Sequence, residues 1–145
     1  MNRNHYLKDI VEIARDGAQF YDDAQQHVQD AGLRTTFAQM ASAKRELIAG
    51  LSARLRAEGA EPPRNGTIAG AIRKTYTDVA AKLSKHEARL YVGQLEETED
   101  RLIAEVRKAI ADCEDAGARS VLEAYWPKVK ASHEQMRKLK HSLAA

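Results

Sequence analysis

The sequence predicts an all-α protein, a bundle of four long helices. Three observations carry this. Composition is rich in Ala, Glu, Lys, Leu and Arg, and β-branched runs are absent, which are helix-forming preferences. Apolar residues recur three and four apart over most of the chain, the repeat of a helix with one buried face. Proline is scarce outside one loop, and the turn signals fall between long periodic segments.

The first helix is expected from Asn4 to Asp30. Leu7, Ala14, Tyr21 and Val28 stand seven apart, with Ile10, Val11, Gly17, Ala18 and Ala24 between them. Asp30-Ala-Gly32 is expected to end it, with glycine taking the left-handed closing conformation. The second helix carries Leu33, Phe37, Met40, Leu47, Ile48, Leu51 and Leu55 and stops near Gly59. So short a connection makes the two helices antiparallel neighbours.

GAEPPRNG, from Gly59 to Gly66, follows as a loop, since Pro62-Pro63 cannot continue a helix and Asn65-Gly66 signals a turn. Thr67 is placed to cap the next helix. Helical preference then runs to Cys113. As one rod that stretch would measure about 70 Å, longer than its partners, so a break is expected at Ser84-Lys85-His86. A shorter helix, Thr67 to Leu83, and a long one, Glu87 to Cys113, result. Asp115-Ala-Gly117 makes the next turn. The last helix shows Leu122, Tyr125, Val129, Ser132, Met136, Leu139 and Leu143, with a bend expected near Trp126 because Pro127 removes a hydrogen bond. The crossover, about residues 59–86, can carry the chain from one end of the bundle to the other. Two antiparallel hairpins joined this way have ferritin-like connectivity, with residues 1–145 forming one domain.

Several classes are set aside by composition. Lys plus Arg number 23 against 21 for Asp plus Glu, a near-neutral balance unlike that of a dedicated nucleic-acid binder. The single cysteine, Cys113, permits no internal disulfide and fits a reducing compartment. The N-terminus lacks a signal-peptide pattern, and no stretch approaches the roughly 20 apolar residues that span a bilayer. The expectation is a soluble cytoplasmic protein with no membrane partner.

Asp16-Gly17 followed by Tyr21, Val28-Gln29-Asp30 with Leu33, the Gly66 to Ala71 run leading to Tyr76, Glu99-Asp100 and His133-Glu134 together resemble a family. It is the small bacterial ferritin-like four-helix-bundle family grouped as a domain of unknown function. The resemblance implies a ferritin-like fold, no established activity, and a context in stress adaptation. Arg73, where histidine is expected, and Pro127 depart from the pattern.

A di-iron carboxylate bundle needs Glu-x-x-His pairs on two helices, which aim a carboxylate and an imidazole at one point. Three residues before His27, His86, His133 and His141 stand Ala24, Leu83, Lys130 and Lys138, and no Glu-x-x-His occurs. Glu99 instead lies on an apolar face with Leu95, Leu102 and Val106, and Lys44 lies on the stripe between Met40 and Leu47. A lone buried charge is costly, so burial demands partners. One arrangement is a buried network in which Lys44 replaces a metal's charge and pairs with Glu99. His133 or Ser132 then completes the hydrogen bonds, with Asp16 and Glu46 at the edges. In the other, Lys44 extends its ammonium to solvent and Glu99 flanks the core. A third is an atypical iron or other divalent-metal site using Glu96, Glu99 and His133.

Other chemistry is sparse. Cys113 and His133 lie turns apart, and the thiol is read as packed or half-exposed. Tyr125-Trp126 reads as a core plug, and Gly66 to Gly70 is no phosphate loop. Lys128, Lys130, Arg137, Lys138, Lys140 and His141 make a basic tail, a feature also favoured at a helix C-terminus. No complete catalytic constellation can be assembled. The leading expectation is therefore a non-enzymatic binding or assembly module without a cofactor, its di-iron site lost. The alternatives are the atypical metal protein and a nucleic-acid-associated protein using the basic tail. Tyr6, Ile13, Phe20, Tyr91 and Ile103, off the main stripes, favour a homodimer.

Overall fold

The structure, a computed structural model, describes residues 5–28, 30–66 and 85–144. Its regular elements are helices: α1 (His5–His27), α2 (Ala31–Ala57), α3 (Lys85–Asp112) and α4 (Ala116–Ala144), with no strand among the described residues. The expected crossover helix, Thr67 to Leu83, lies outside the described residues. Among the described residues the third helix runs from Lys85, so it includes Lys85 and His86 of the expected break. α4 runs on through Pro127, which faces solvent.

The turn between α1 and α2 differs from expectation. Gly32 does not close α1; it lies inside the first turn of α2. Asp30 is the N-cap of α2, and its carboxylate accepts a hydrogen bond from the Leu33 N–H at 2.9 Å. A short acidic side chain can satisfy one of the free amides at a helix start, so it starts the next helix here instead of ending the last. Asp115 does the same for α4, accepting from Gly117 and Ala118. The left-handed glycine is Gly59, at φ 78°. It closes α2 while the Gly59 and Ala60 amides return to the Arg56 and Leu55 carbonyls, as glycine-closed helix ends do.

α1 packs chiefly on α2, α3 on α4, and α1 on α3, while α2 and α4 meet along a thinner seam. The buried apolar side chains form two clusters. One holds Leu7, Ile10, Val11, Leu47, Leu51, Leu102, Val106, Leu122 and Val129 among others. The second holds Phe20, Tyr21, Phe37, Met40, Tyr91, Leu95 and Met136 among others. On each helix the residues that change from one cluster to the other flank a single level. Glu99 falls between Leu95 and Leu102, Lys44 between Met40 and Leu47, and Ser132 between Val129 and Met136. That level is a polar layer.

Beyond its main stripe, α1 buries a second row at Ile13, Asp16, Phe20 and Asp23. This corrects the dimer argument from off-stripe residues. Ile13, Phe20 and Tyr91 are buried within one chain, and Tyr6 and Ile103 are half-buried against the core. The three buried side chains offer no surface to a second copy.

Candidate functional site

The centre of the polar layer is Glu99. Helical spacing from Leu95 and Leu102 points its side chain inward, where it has no exposed surface. Lys44 Nζ lies 2.7 Å from Glu99 Oε1, with 3% and 0% of the two side chains exposed. The Tyr21 hydroxyl donates to the same oxygen at 2.7 Å. Charge and phenol thus converge from α2 and α1 onto one carboxylate oxygen of α3. Glu99 Oε2 is buried without a hydrogen-bond partner among the described residues.

Two features of α1 shape the position of Lys44. Gly17 leaves room for the lysine stem: a Cβ built there would meet Lys44 Cγ, Cδ and Cε at 3.6 Å. The ammonium also lies 5.8 Å from the centre of the Tyr21 ring, within the range of a cation–π attraction. The alternative in which Lys44 reaches out to solvent is not the arrangement adopted. On the thin seam between α2 and α4, a cavity of about 10 Å³ is lined by Lys44, Leu47, Tyr125, Val129 and Ser132 among others. That volume is about the size of one water molecule.

In the sequence Tyr21 stands in the apolar row and in the family pattern, and neither assigns its hydroxyl a partner. Its signal in the sequence was its register with the charged pair, since a buried phenol needs a partner. The hydroxyl's pKa is raised well above the ordinary tyrosine range. Burial is the largest cause, followed by the charge of Glu99 and the hydrogen bond to it. The phenol therefore stays protonated and donating.

The other expected residues are placed as follows. Ser132 is buried in the layer and lines the cavity beside Lys44. His133 does not complete the hydrogen bonds of Glu99; its Nε2 meets Asp100 Oδ1 on the flank of the α3–α4 pair. The physical reason is angular. Consecutive helical residues project about 100° apart, so Ser132 and Glu99 point inward while His133 and Asp100 point to the side. Asp16 is fully buried, 3.9 Å from Arg101 Nη1, and a Cβ on Gly66 would run into its carboxylate. Glu46 is exposed and pairs with Lys128 at 3.3 Å. Cys113 is buried, its thiol donating to the Asp115 carbonyl at 3.6 Å.

The alternative ligand set is not gathered at one point. Glu96 pairs with Lys140 at 3.4 Å, Glu99 with Lys44 and Tyr21, and His133 with Asp100. Among the described residues, no group of three or more His, Cys, Asp or Glu side chains could hold a metal ion. Among the described residues, the groups meeting at Glu99 are one carboxylate, one phenol and one ammonium, which does not fit a di-iron centre. An ammonium repels a cation, and with the Tyr21 hydroxyl it occupies the Oε1 lone pairs that a metal would use.

No helix among the described residues is long and apolar enough to cross a membrane. No curated protein and no solved structure matches the chain. The model of a family described as a domain of unknown function, DUF2383, matches residues 3–112, the larger part of the chain, and the chain belongs to that family.

Proposed function

We propose that this member of the family is a non-enzymatic, cytoplasmic helical bundle of ferritin-like connectivity. It acts as a binding or assembly module, with a context in stress adaptation, and Lys44 stands where a metal would supply positive charge. The observation that carries the reading is the fully enclosed 2.7 Å pair between Lys44 Nζ and Glu99 Oε1. The pair neutralises the one carboxylate at the bundle centre without an imported ion.

Contacts between helices support the connectivity. Across α1 and α2, Gly17 lies against the Lys44 stem, and near the turn the Val28 carbonyl accepts a hydrogen bond from Arg34. Across α3 and α4, Asp100 pairs with His133 and Glu96 with Lys140. In each pair the later helix runs back along the earlier one. Between α1 and α3, Tyr21 meets Glu99 while His27 stacks on Tyr91. These contacts support α1 running against α3 and α2 running parallel to α3, as one long crossover requires.

Calorimetric titration of the purified chain with ferrous iron, manganese and zinc, with metal analysis of the protein as isolated, tests the reading. Little bound metal and no saturable uptake are expected. Stoichiometric uptake that is lost in Glu99→Gln would overturn it.

A further inference from the structure

We propose that the outer face of α3 and α4 around Trp126 docks an acidic protein segment. This inference rests on the reading of the chain as a binding module and names the surface and the chemistry of its partner. Trp126 is half-buried on α4. Arg107 of α3 lies 5.7 Å from its ring centre, and Lys130, one turn along α4, lies 5.8 Å from it. Ile103 and Ile110 stand four residues before and three after Arg107, on the same face of α3. Both are half-buried against the core that also carries Trp126.

Three other cations of α3 and α4 are committed to carboxylates within the chain. Lys128 pairs with Glu46, Lys140 with Glu96 and Arg101 with Asp16. Arg107 and Lys130 make no ion pair among the described residues, although each lies over the indole. A tryptophan and an arginine beside exposed edges of isoleucine are the residue types that carry interface energy. Two unmatched positive charges call for carboxylates opposite them. A segment with two carboxylates one helical turn apart and an apolar side chain between them satisfies all three features. Nucleic acid fits less well: the indole is already overlaid by two cations, which restricts base stacking. The net charge of +2 also gives little long-range attraction. Trp126 and Lys130 lie beyond the residues that match the family, whereas Ile103, Arg107 and Ile110 lie within them.

Trp126 is the sole tryptophan, so its emission reports on this face alone. The full chain is titrated with an alanine-rich helical peptide bearing two glutamates one turn apart and a leucine between them. Its glutamine counterpart and a short oligothymidylate are run in parallel. The glutamate peptide is expected to give a saturable emission change that weakens with added salt. The glutamine peptide gives none, and Arg107→Glu with Lys130→Glu abolishes the response while helicity is kept. Arg107→Gln with Lys130→Gln replaces that variant if charge reversal unfolds the chain. No response to the glutamate peptide, an undiminished response in the variant, or tighter saturation by oligothymidylate would each overturn the proposal. Failure of peptide binding in a chain that takes up no iron refutes this surface alone, whereas iron uptake refutes the reading on which it rests.

Discussion

Lys44→Met removes the ammonium and keeps most of the stem that lies against Gly17. Glu99 is then fully buried with one oxygen bonded only to Tyr21 and the other without a partner among the described residues. Breaking a buried pair from one side costs about 3–5 kcal/mol, against a total of about 5–15 kcal/mol for a typical domain. Glu99→Leu strands the ammonium instead. Its cost is smaller, because Lys44 borders the cavity on the α2–α4 seam and has a long stem with which to reach water. The double variant removes both charges and leaves the Tyr21 hydroxyl without its acceptor, a loss of about 1–3 kcal/mol. Replacing both charges by packed apolar groups offsets that loss in part or whole. The double variant is therefore expected within about 2 kcal/mol of the wild type, with a coupling energy above about 2 kcal/mol between the two sites. Urea unfolding followed by circular dichroism measures all four proteins, and a constant denaturant slope shows that the same surface is exposed in each. A Lys44→Met protein within about 1 kcal/mol of the wild type, at unchanged slope, would refute the reasoning; it is the result expected if the ammonium sat in solvent.

Tyr21→Phe loses a hydrogen bond to a charged acceptor and should cost about 1.5–3 kcal/mol, read by the same unfolding curve. Because the folded phenol holds its proton above the ordinary tyrosine range, its contribution is complete below the unfolded pKa of about 10. It is lost as pH rises towards the folded value, so wild type and Tyr21→Phe should converge in stability at alkaline pH. Asp115 shows the opposite sign. The Ala118 N–H, against some burial, and then Glu58, the Gly117 N–H and Arg54 hold its carboxyl below the ordinary aspartate range. Its contribution is present above that range and lost as pH falls through the folded value, so the gap between wild type and Asp115→Asn should close in acid. Gly17→Ala should be neutral to stabilising by up to about 1 kcal/mol, since the new methyl meets the Lys44 stem at ordinary contact distance and alanine favours a helix. Gly50→Ala should lower the melting temperature, because its methyl would overlap the Tyr125 ring across the α2–α4 seam.

The four long helices were legible because each has a continuous apolar stripe. The polar layer was legible in part because Glu99 and Lys44 interrupt two of those stripes at the same level. What the spacing did not reveal has physical causes. Tyr21 fits an apolar row and a hydrogen-bonded layer equally well, and only the depth of its hydroxyl separates the two. Ser132 and His133 are adjacent in sequence but diverge around the helix, so similar distance along α4 did not make the imidazole a member of the layer. Asp30 and Gly32 both mark a helix boundary, and which side each served depended on backbone angles that the sequence does not display. Ile13 and Phe20 looked exposed because a single stripe was assumed for α1, whereas this helix buries two rows.

The most direct test is a high-resolution crystal structure of the protein soaked in ferrous, manganese or zinc salt, with anomalous scattering collected at the metal edge. The account predicts the Lys44 ammonium within hydrogen-bonding distance of Glu99 and no anomalous peak between the helices at that level. Lys44 turned outward, with an anomalous peak beside the Glu99 carboxylate, would contradict it.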